Sequence, residues 1–286
     1  MAAINETNPH QLRDLIRLAL REDVGDGDHS SLSCVPETAT KRARLLVKQA
    51  GVLAGVEVAL VVFEEVDPNL KVDVKIQDGS HIEVGDIVLT VEGSARSILQ
   101  AERLMLNIMQ RMSGIATYTR SMVDLIADLP VKLLDTRKTT PNFRLFEKMA
   151  TRIGGAHNHR MGLYDMIMLK DNHLDYAGGI QAALIRAREY LEKTGRDLKI
   201  EIETRNLGEV DEVMRVGGAN IIMLDNFSLE DMREAVKKIG GRIETEASGG
   251  IDETTLRAVA ETGVDSVSSG ALTHQIKSLD LSLKAF

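Results

Sequence analysis

The sequence predicts an α/β protein whose second half repeats a βα unit, forming a parallel sheet that is either open or closed into a small barrel. Three observations predict this. Apolar, β-rich runs begin near Val131, Met166, Leu198, Asn220, Ile243 and Val264. Helical segments at 178–193, 207–216, 228–239 and 252–262 fill most of the gaps, as parallel strands require of their connections. Reactive polar residues cluster just after the apolar runs, where parallel sheets and barrels gather their sites.

The elements follow in order. A first helix is predicted with Asn8 as N-cap, Pro9 in the first turn and Gln11 completing a capping box ahead of Leu12, Leu15, Ile16 and Ala19. It ends near Val24-Gly25. The acidic stretch from Glu22 to Asp28 lacks the bidentate glutamate spacing of a calcium loop and reads as a helix terminus. Over 43–92 the pattern becomes short alternating runs, LKVDVKIQ and DIVLTVE, broken at Asp78-Gly79 and Val84-Gly85, which predicts a small antiparallel sheet. A helix is predicted over 97–112. Its apolar residues Ile98, Leu99, Met105, Leu106, Ile108, Met109 and Met112 cover more than one face, whereas a surface helix shows a single stripe. In the βα region, Ser228 with Asp231 and Asp252 with Thr255 mark helix starts, and Gly217-Gly218 and Gly240-Gly241 mark stops.

Composition sets the bounds. With 286 residues and 43% hydrophobic content the chain can bury a large core, in one big domain or two moderate ones. A lone cysteine, Cys34, forms no internal disulfide, and the polar start MAAINETNPH has no apolar h-region, so a cytoplasmic protein is expected. No apolar run approaches the roughly 18 residues of a membrane span. A pI near 5.5, no tryptophan and 3% aromatic residues argue against nucleic-acid binding. Against this acidic background, Arg137 to His173 holds seven Lys or Arg, three acids and three histidines, a local net charge of +4 in a chain of −8. A reversal of sign this local points to a focused pocket for a small polyanion, with phosphates and carboxylates as natural guests.

The residues that follow the strands fill in that pocket. Thr136, Arg137 and Lys138 follow the first run, Lys170 ends the second, Glu201 and Glu203 lie toward the end of the third, and Asp225 ends the fourth. Ser248-Gly249-Gly250 and Ser269-Gly270-Ala271 follow the last two, the usual place for a phosphate cradle leading into a helix N-terminus. Turn glycines alone would be unremarkable; beside the cationic segment they gain meaning. Arg144, Lys148 and Arg152, spaced by four, read as a solvated helix stripe, and Arg152 is left out of the site. His157 and His159 are spaced to face one side of a β-type segment. No third ligand stands nearby in sequence, so an anion-facing His159 beside Arg160 is preferred to a zinc pair.

The series DTRKTTP, GGAHNHRMGLYD, MLKDNH, IEIE, MLDNF, ASGGID and SSGALTH, with the helix AERLMLNIMQRMSGIAT, resembles the motifs of the quinolinate phosphoribosyltransferases, the carboxylating nicotinate-nucleotide pyrophosphorylases, in order and over nearly the whole chain. Two departures, GDGDHSS in place of a threonine-rich loop and ETRNL after the third strand, touch no residue expected to be catalytic. The resemblance implies an N-terminal mixed α/β, sandwich-like domain (1–114, joined by the tail 275–286) and a barrel of fewer than eight regular strands (115–274). It implies a transferase that uses quinolinate, phosphoribosyl pyrophosphate and Mg2+ to make nicotinate mononucleotide, pyrophosphate and CO2 in NAD biosynthesis. Arg137, His159, Arg160 and Lys170 would surround the quinolinate carboxylates, with Arg103 entering from a neighbouring subunit of a homodimer or higher homo-oligomer. Lys138 would lie near the pyrophosphate; Glu203 and Asp225 would hold the ribose hydroxyls and the metal, directly or through water. Ser248, Gly249, Gly250, Ser269, Gly270, Ala271 and His274 would bind the 5′-phosphate. Two other readings remain open on the residues alone: a Schiff-base lyase built on Lys170, and a non-enzymatic phosphosugar-binding relative.

Overall fold

A computed structural model describes residues 9–286, which form two compact units. The residues up to Arg120, with Thr139–Gly155 and Gln275–Phe286, make the first; Ser121–Lys138 and Ala156–His274 make the second. Asn8, the expected N-cap, lies outside the described residues.

In the first unit, helix Pro9–Val24 buries Leu12 and Ile16 and turns Arg13 and Arg17 toward Glu64 and Glu65 of helix Val56–Val66. The acidic stretch is a helix terminus, and Asp28 begins the next helix, His29–Cys34, by accepting the Ser31 amide at 3.1 Å. The antiparallel sheet is present, with strand order Leu281–Ala285, Thr40–Val47, Ile87–Ser94, Lys71–Val74. Its outermost strand is the C-terminal tail, in register with the first strand from Ala43↔Ala285 to Val47↔Leu281.

One expectation fails here: 43–92 is not strand throughout, because Val56–Val66 is helical. Its β-branched residues disguise the helix, yet Val56, Val58, Ala59, Val62 and Phe63 are buried at helical spacing. The cap comes from far along the chain, with the Val56 amide donating to Asp78 Oδ1 at 2.9 Å, so no local pattern announces it. The helix expected over 97–112 runs much further, Ala95–Asp124. Gly114 explains how it passes the returning tail, since a Cβ there would collide with the Lys277 carbonyl.

The stripe reading of Arg144, Lys148 and Arg152 is also corrected. All three lie on helix Arg144–Ile153 of the first unit, and Arg152 is exposed, but Lys148 is only 1% exposed. Its neighbour Glu147, fully buried, accepts from Arg111 at 2.9 Å and from the Thr140 amide and hydroxyl, each at 3.0 Å. Charges of the cationic segment are thus engaged inside this unit.

The second unit holds six parallel strands in the order Lys132–Leu134, Ser266–Ser268, Glu244–Ser248, Ile221–Asp225, Ile200–Thr204, Ile167–Leu169. Each of the last five lies beside its sequence neighbour and the first beside the last, the order of a small barrel-like ring. Helices Ile180–Thr194, Leu207–Val216 and Leu229–Ile239 fall close to the predicted spans. Ser228 caps the last by accepting the Asp231 amide, and Gly217 and Gly240 end their helices with φ of +69° and +58°. The segment expected as helix over 252–262 is mostly turn, with Leu256–Ala260 alone helical, because Asp252 Oδ1 ties back the Thr254 and Thr255 amides.

The seat of Gly114 yields a test. Replacing it with alanine should gain roughly 1 kcal/mol of helix propensity but lose about 1–3 kcal/mol to the overpacked contact with the tail. Gly114→Ala is expected to melt several degrees lower; an unchanged or higher Tm would show that the tail does not press on the helix there.

Candidate functional site

Side chains alternate along a strand, so on Ile200–Thr204 the glutamates Glu201 and Glu203 share one face and Ile200, Ile202 and Thr204 the other. The same parity groups Met168 with Lys170, Met223 with Asp225, and Glu246 with Ser248. Upper members of these pairs open on a cavity of about 660 Å³ at the carboxyl ends of the strands.

Following the strand order around this cavity, Thr136, Arg137 and Lys138 come first, then Ser268 and Gly270, then Ser248, Gly249, Gly250 and Ile251, then Asp225 and Asn226, then Glu203, and last Lys170 and Asp171. His159 and Arg160 complete the wall. Most residues predicted from the sequence therefore meet in one place. Four do not line it. Ser269 is buried, and its hydroxyl donates to the Ile251 carbonyl at 2.7 Å, bracing one glycine turn from the other. Ala271 and His274 bound the four-residue helix Ala271–His274 just after Gly270. Arg103 is exposed on helix Ala95–Asp124 of the first unit.

Each glycine turn is shaped by a contact. Gly249 has φ +102°, and a Cβ there would overlap the Asn226 side chain. Asn226 is itself left-handed, at φ +55°, with its amide donating to the Ser248 carbonyl at 2.9 Å and its side-chain Nδ2 to Asp225 Oδ2 at 2.7 Å. It thus joins the carboxylate to the turn. Gly270 sits so close to Lys138 that a Cβ would lie 2.9 Å from the lysine Cδ. Of the two turns, only the second leads straight into a helix, and that one is short.

Two of the cations, Lys170 and Arg160, are held by a carboxylate and a carbonyl, and the loop between them by the Asp165 carboxylate. Lys170 Nζ lies 2.8 Å from Glu203 Oε2, across the parallel pair that sets Leu169 opposite Ile202. Buried Asp135, just past the first strand, accepts the His159 amide at 2.9 Å and the Asn158 side chain. Asp165 accepts the amides of Met161 and Gly162 at 2.7 and 3.0 Å. Arg160 donates to the Met166 carbonyl at 3.2 Å. Burial, and then the neighbouring charge of Arg137, lower the Arg160 pKa from its ordinary value, though a guanidinium keeps its proton.

His159 and His157 part company: His157 is exposed and His159 buried, so the two do not share a face. The His159 ring meets Glu201 and Glu246 instead, with Nε2 at 3.0 and 3.5 Å from their carboxylates. Burial opposes charge on this ring, while the neighbouring carboxylates of Glu201 and then Glu246 favour it, and these effects taken alone would raise its pKa to about 10. Nδ1 argues the other way. It accepts the Arg160 amide at 2.7 Å, which only an unprotonated nitrogen can do, and this short contact decides for a neutral ring with its proton on Nε2. Burial also pushes the Glu201 carboxyl up, which eases the strain of two adjacent acids. Sequence reading missed Glu246, Asn226, Asp171 and Ser268. Glu246 shares the parity of Ser248, two residues on, and that was the available signal.

Comparison with known proteins finds the N-terminal domain of the quinolinate phosphoribosyl transferase family over residues 28–113 and its C-terminal domain over residues 115–284. The chain is 45% identical over 290 residues to quinolinate phosphoribosyltransferase (decarboxylating) 1b of Nicotiana tabacum, covering 96% of this chain and 82% of that protein. It is 40% identical over 276 residues to the probable nicotinate-nucleotide pyrophosphorylase (carboxylating) of Bacillus subtilis, covering 96% and 94%. The solved nicotinate-nucleotide pyrophosphorylase of Francisella tularensis superposes with a TM-score of 0.92 at 38% identity, over 100% of both chains.

Proposed function

The chain belongs to the quinolinate phosphoribosyltransferase family, and we infer that it carries out the reaction itself: it transfers the phosphoribosyl group of phosphoribosyl pyrophosphate to quinolinate with loss of CO2, giving nicotinate mononucleotide and pyrophosphate for NAD biosynthesis. One observation carries the inference from family to pocket. Four cations, the carboxylates of Glu203 and Asp225 and two glycine turns border the same cavity. A dicarboxylate and a phosphorylated pyrophosphate ester call for the cations, ribose hydroxyls for carboxylate acceptors, and a terminal phosphate for closely approaching backbone.

In this proposal Arg137, Arg160 and Lys170, with His159 in the wall, surround the acceptor's carboxylates, and Lys138 faces the pyrophosphate beside Thr136. Glu203 and Asp225 hold the ribose hydroxyls. Ser248, Gly249, Gly250 and Gly270 cradle the 5′-phosphate; Ser269, Ala271 and His274 support that turn. Magnesium belongs to the proposal, since Glu203 and Asp225 offer the hard oxygen ligands that the ion takes alongside phosphates, where it would offset charge on the departing pyrophosphate. The acceptor's ring nitrogen attacks as pyrophosphate leaves, so catalysis is positioning and charge stabilisation without a covalent nucleophile. Carboxylate loss follows once the nitrogen is quaternary. A Schiff-base role for Lys170 finds no support: its ammonium is paired with Glu203 and its side chain is 46% exposed, unlike the desolvated amine such chemistry uses.

A cytoplasmic location is part of the same reading, supported by the single, free cysteine Cys34; among the described residues no helix is long and apolar enough to cross a membrane. So is a homo-oligomer whose sites take Arg103 from a neighbour. Arg103 has no ion-pair partner among the described residues and shares an exposed stripe with Leu99, 45% exposed, one turn away. Ile98, Met105, Leu106, Ile108, Met109 and Met112 of that helix are buried within the chain, so their number does not itself demand a partner.

Pyrophosphate release from phosphoribosyl pyrophosphate should require quinolinate and fail with nicotinate, and Arg160→Ala should lower kcat/KM by the equivalent of about 2–4 kcal/mol with the fold intact. Release with nicotinate alone, or a near-native rate in the variant, would overturn the substrate assignment. Asp225→Asn is expected to raise the magnesium concentration needed for half-maximal rate and to depress turnover more than quinolinate affinity. The opposite pattern would remove Asp225 from the ribose and metal. Finally, Arg103→Ala and Lys170→Ala, each inactive alone, should regain activity when their subunits are exchanged, because one hybrid site has both native residues. Verified exchange without recovery would mean that Arg103 completes no neighbouring site.

A further inference from the structure

Two acids, Glu246 lining the cavity and Glu201 buried beside it, have no task in the reaction as described. Glu201 and Glu246 are both 0% exposed, two residues below Glu203 and Ser248 on their strands. Two carboxylates buried side by side are costly, and apolar residues of similar volume would commonly give a more stable protein. Their presence therefore calls for a functional account.

A metal is the first candidate to test. His159, Glu201 and Glu246 each bring a ligating atom within 4.8 Å of the others. Nδ1 of His159 argues against it: having accepted the Arg160 amide at 2.7 Å, it carries no proton, so the neutral ring keeps its proton on Nε2. Nε2, 3.0 and 3.5 Å from the glutamates, then bears a hydrogen where a metal would need a lone pair. The three groups form a close polar bracket, Nε2 standing 3.0 and 3.5 Å from the two carboxylates without a well-aligned hydrogen bond to either.

We propose that Glu201 and Glu246 are positioning residues for the dicarboxylate half of the pocket: their charge, 3.0 and 3.5 Å from Nε2 of His159, keeps the proton on that nitrogen and orients the ring, so that Nδ1 fixes the Arg160 backbone and with it the guanidinium at the cavity wall. The surroundings fit this role. Arg160 lies outside helix and strand, in a segment whose place depends on individual ties. Asp135 holds the His159 amide, Asp165 the two amides after Arg160, and the Met166 carbonyl the guanidinium itself. The glutamates act on the remaining freedom, the rotation of the imidazole. Glu246 also lines the cavity, so the bracket reaches its surface. This inference rests on the reading that Arg160 faces quinolinate.

The test uses Glu201→Gln and Glu246→Gln in the full chain, because glutamine keeps the shape and removes the charge. Each variant should lose about tenfold to a hundredfold in kcat/KM for quinolinate while the KM for phosphoribosyl pyrophosphate stays within about twofold, as for supporting groups behind a ligand-binding residue. Tm should stay level or rise, since a buried charge is gone. Unchanged quinolinate kinetics, or equal losses toward both substrates with a fallen Tm, would overturn the positioning role. Nitrogen NMR of the unsubstituted protein, with the His159 signals identified by their absence in His159→Gln, decides the matter even if the glutamine variants fail to fold. A neutral Nε2–H ring supports the bracket; an Nδ1–H ring, a charged ring or a metal-bound nitrogen overturns it. An unsubstituted enzyme that releases no pyrophosphate with quinolinate would defeat the reaction itself, an outcome separate from any variant's.

Discussion

The pleat of a parallel strand sends alternate side chains to opposite faces, and the whole site depends on that constraint. In a small barrel the inward face is a closed interior that apolar side chains ordinarily fill in layers. Here the inward sequence of Ile200–Thr204 is Glu201 then Glu203, and Glu246 precedes Ser248 on its neighbour but one. Placing a polar residue at the mouth fixes the parity of the residue two below it. The outward positions Ile200, Ile202, Ile222, Leu224, Ala247 and Val267 carry the apolar packing. The protein thus keeps its hydrophobic seam on one face of the strands and polarises the other.

Polar interiors need partners, and the partners also serve as the tethers of the irregular segments beyond the strands. Asp135 and Asp165 accept backbone amides of 159–162, Asn226 joins Asp225 to the Ser248 carbonyl, and the Ser269 hydroxyl grips Ile251. A segment with no ladder of its own is mobile unless such bonds hold it, and binding groups placed loosely lose most of their effect. Stability is a poor explanation for the exposed members of this network. The Lys170–Glu203 pair, with the lysine about half in solvent, contributes little on its own, as partly exposed pairs generally do. Its geometry matters because it sets where the charge stands.

Periodic segments were legible in the sequence and contacts between distant residues were not. The six apolar runs, the glycine stops and the Ser228 cap are local signals, and the strands and helices lie close to where they point. Helix Val56–Val66 was hidden because its residues favour strands and its cap is Asp78, beyond the reach of any local pattern. Most of the cavity's cations, carboxylates and glycines were likewise legible, since they follow runs of recognisable period. Asn226 and Glu246 were not singled out. The meaning of Asn226 lies in a left-handed backbone and a contact with Gly249, and that of Glu246 in a histidine brought from far up the chain.

The charge of the pocket shows how far a linear count can mislead. The segment from Arg137 to His173 carries a net +4, but helix Arg144–Ile153, with three of its cations, belongs to the first unit. At the cavity itself, Arg137, Lys138, Arg160 and Lys170 face Asp171, Glu203, Asp225 and Glu246, so with a neutral His159 the formal charges cancel. An undirected anion trap would need an excess of positive charge; this cavity holds charges of both signs at fixed positions. Selection then depends on arrangement, with anionic groups drawn to Arg137, Lys138 and Arg160 and hydroxyls to Asp225 and Glu203, the last of which also holds Lys170. It also gives the proposed magnesium a specific part. A highly charged pyrophosphate ester entering a cavity of no net charge would gain little from long-range attraction, and a divalent ion carried with it would supply the positive charge that the walls, taken together, lack.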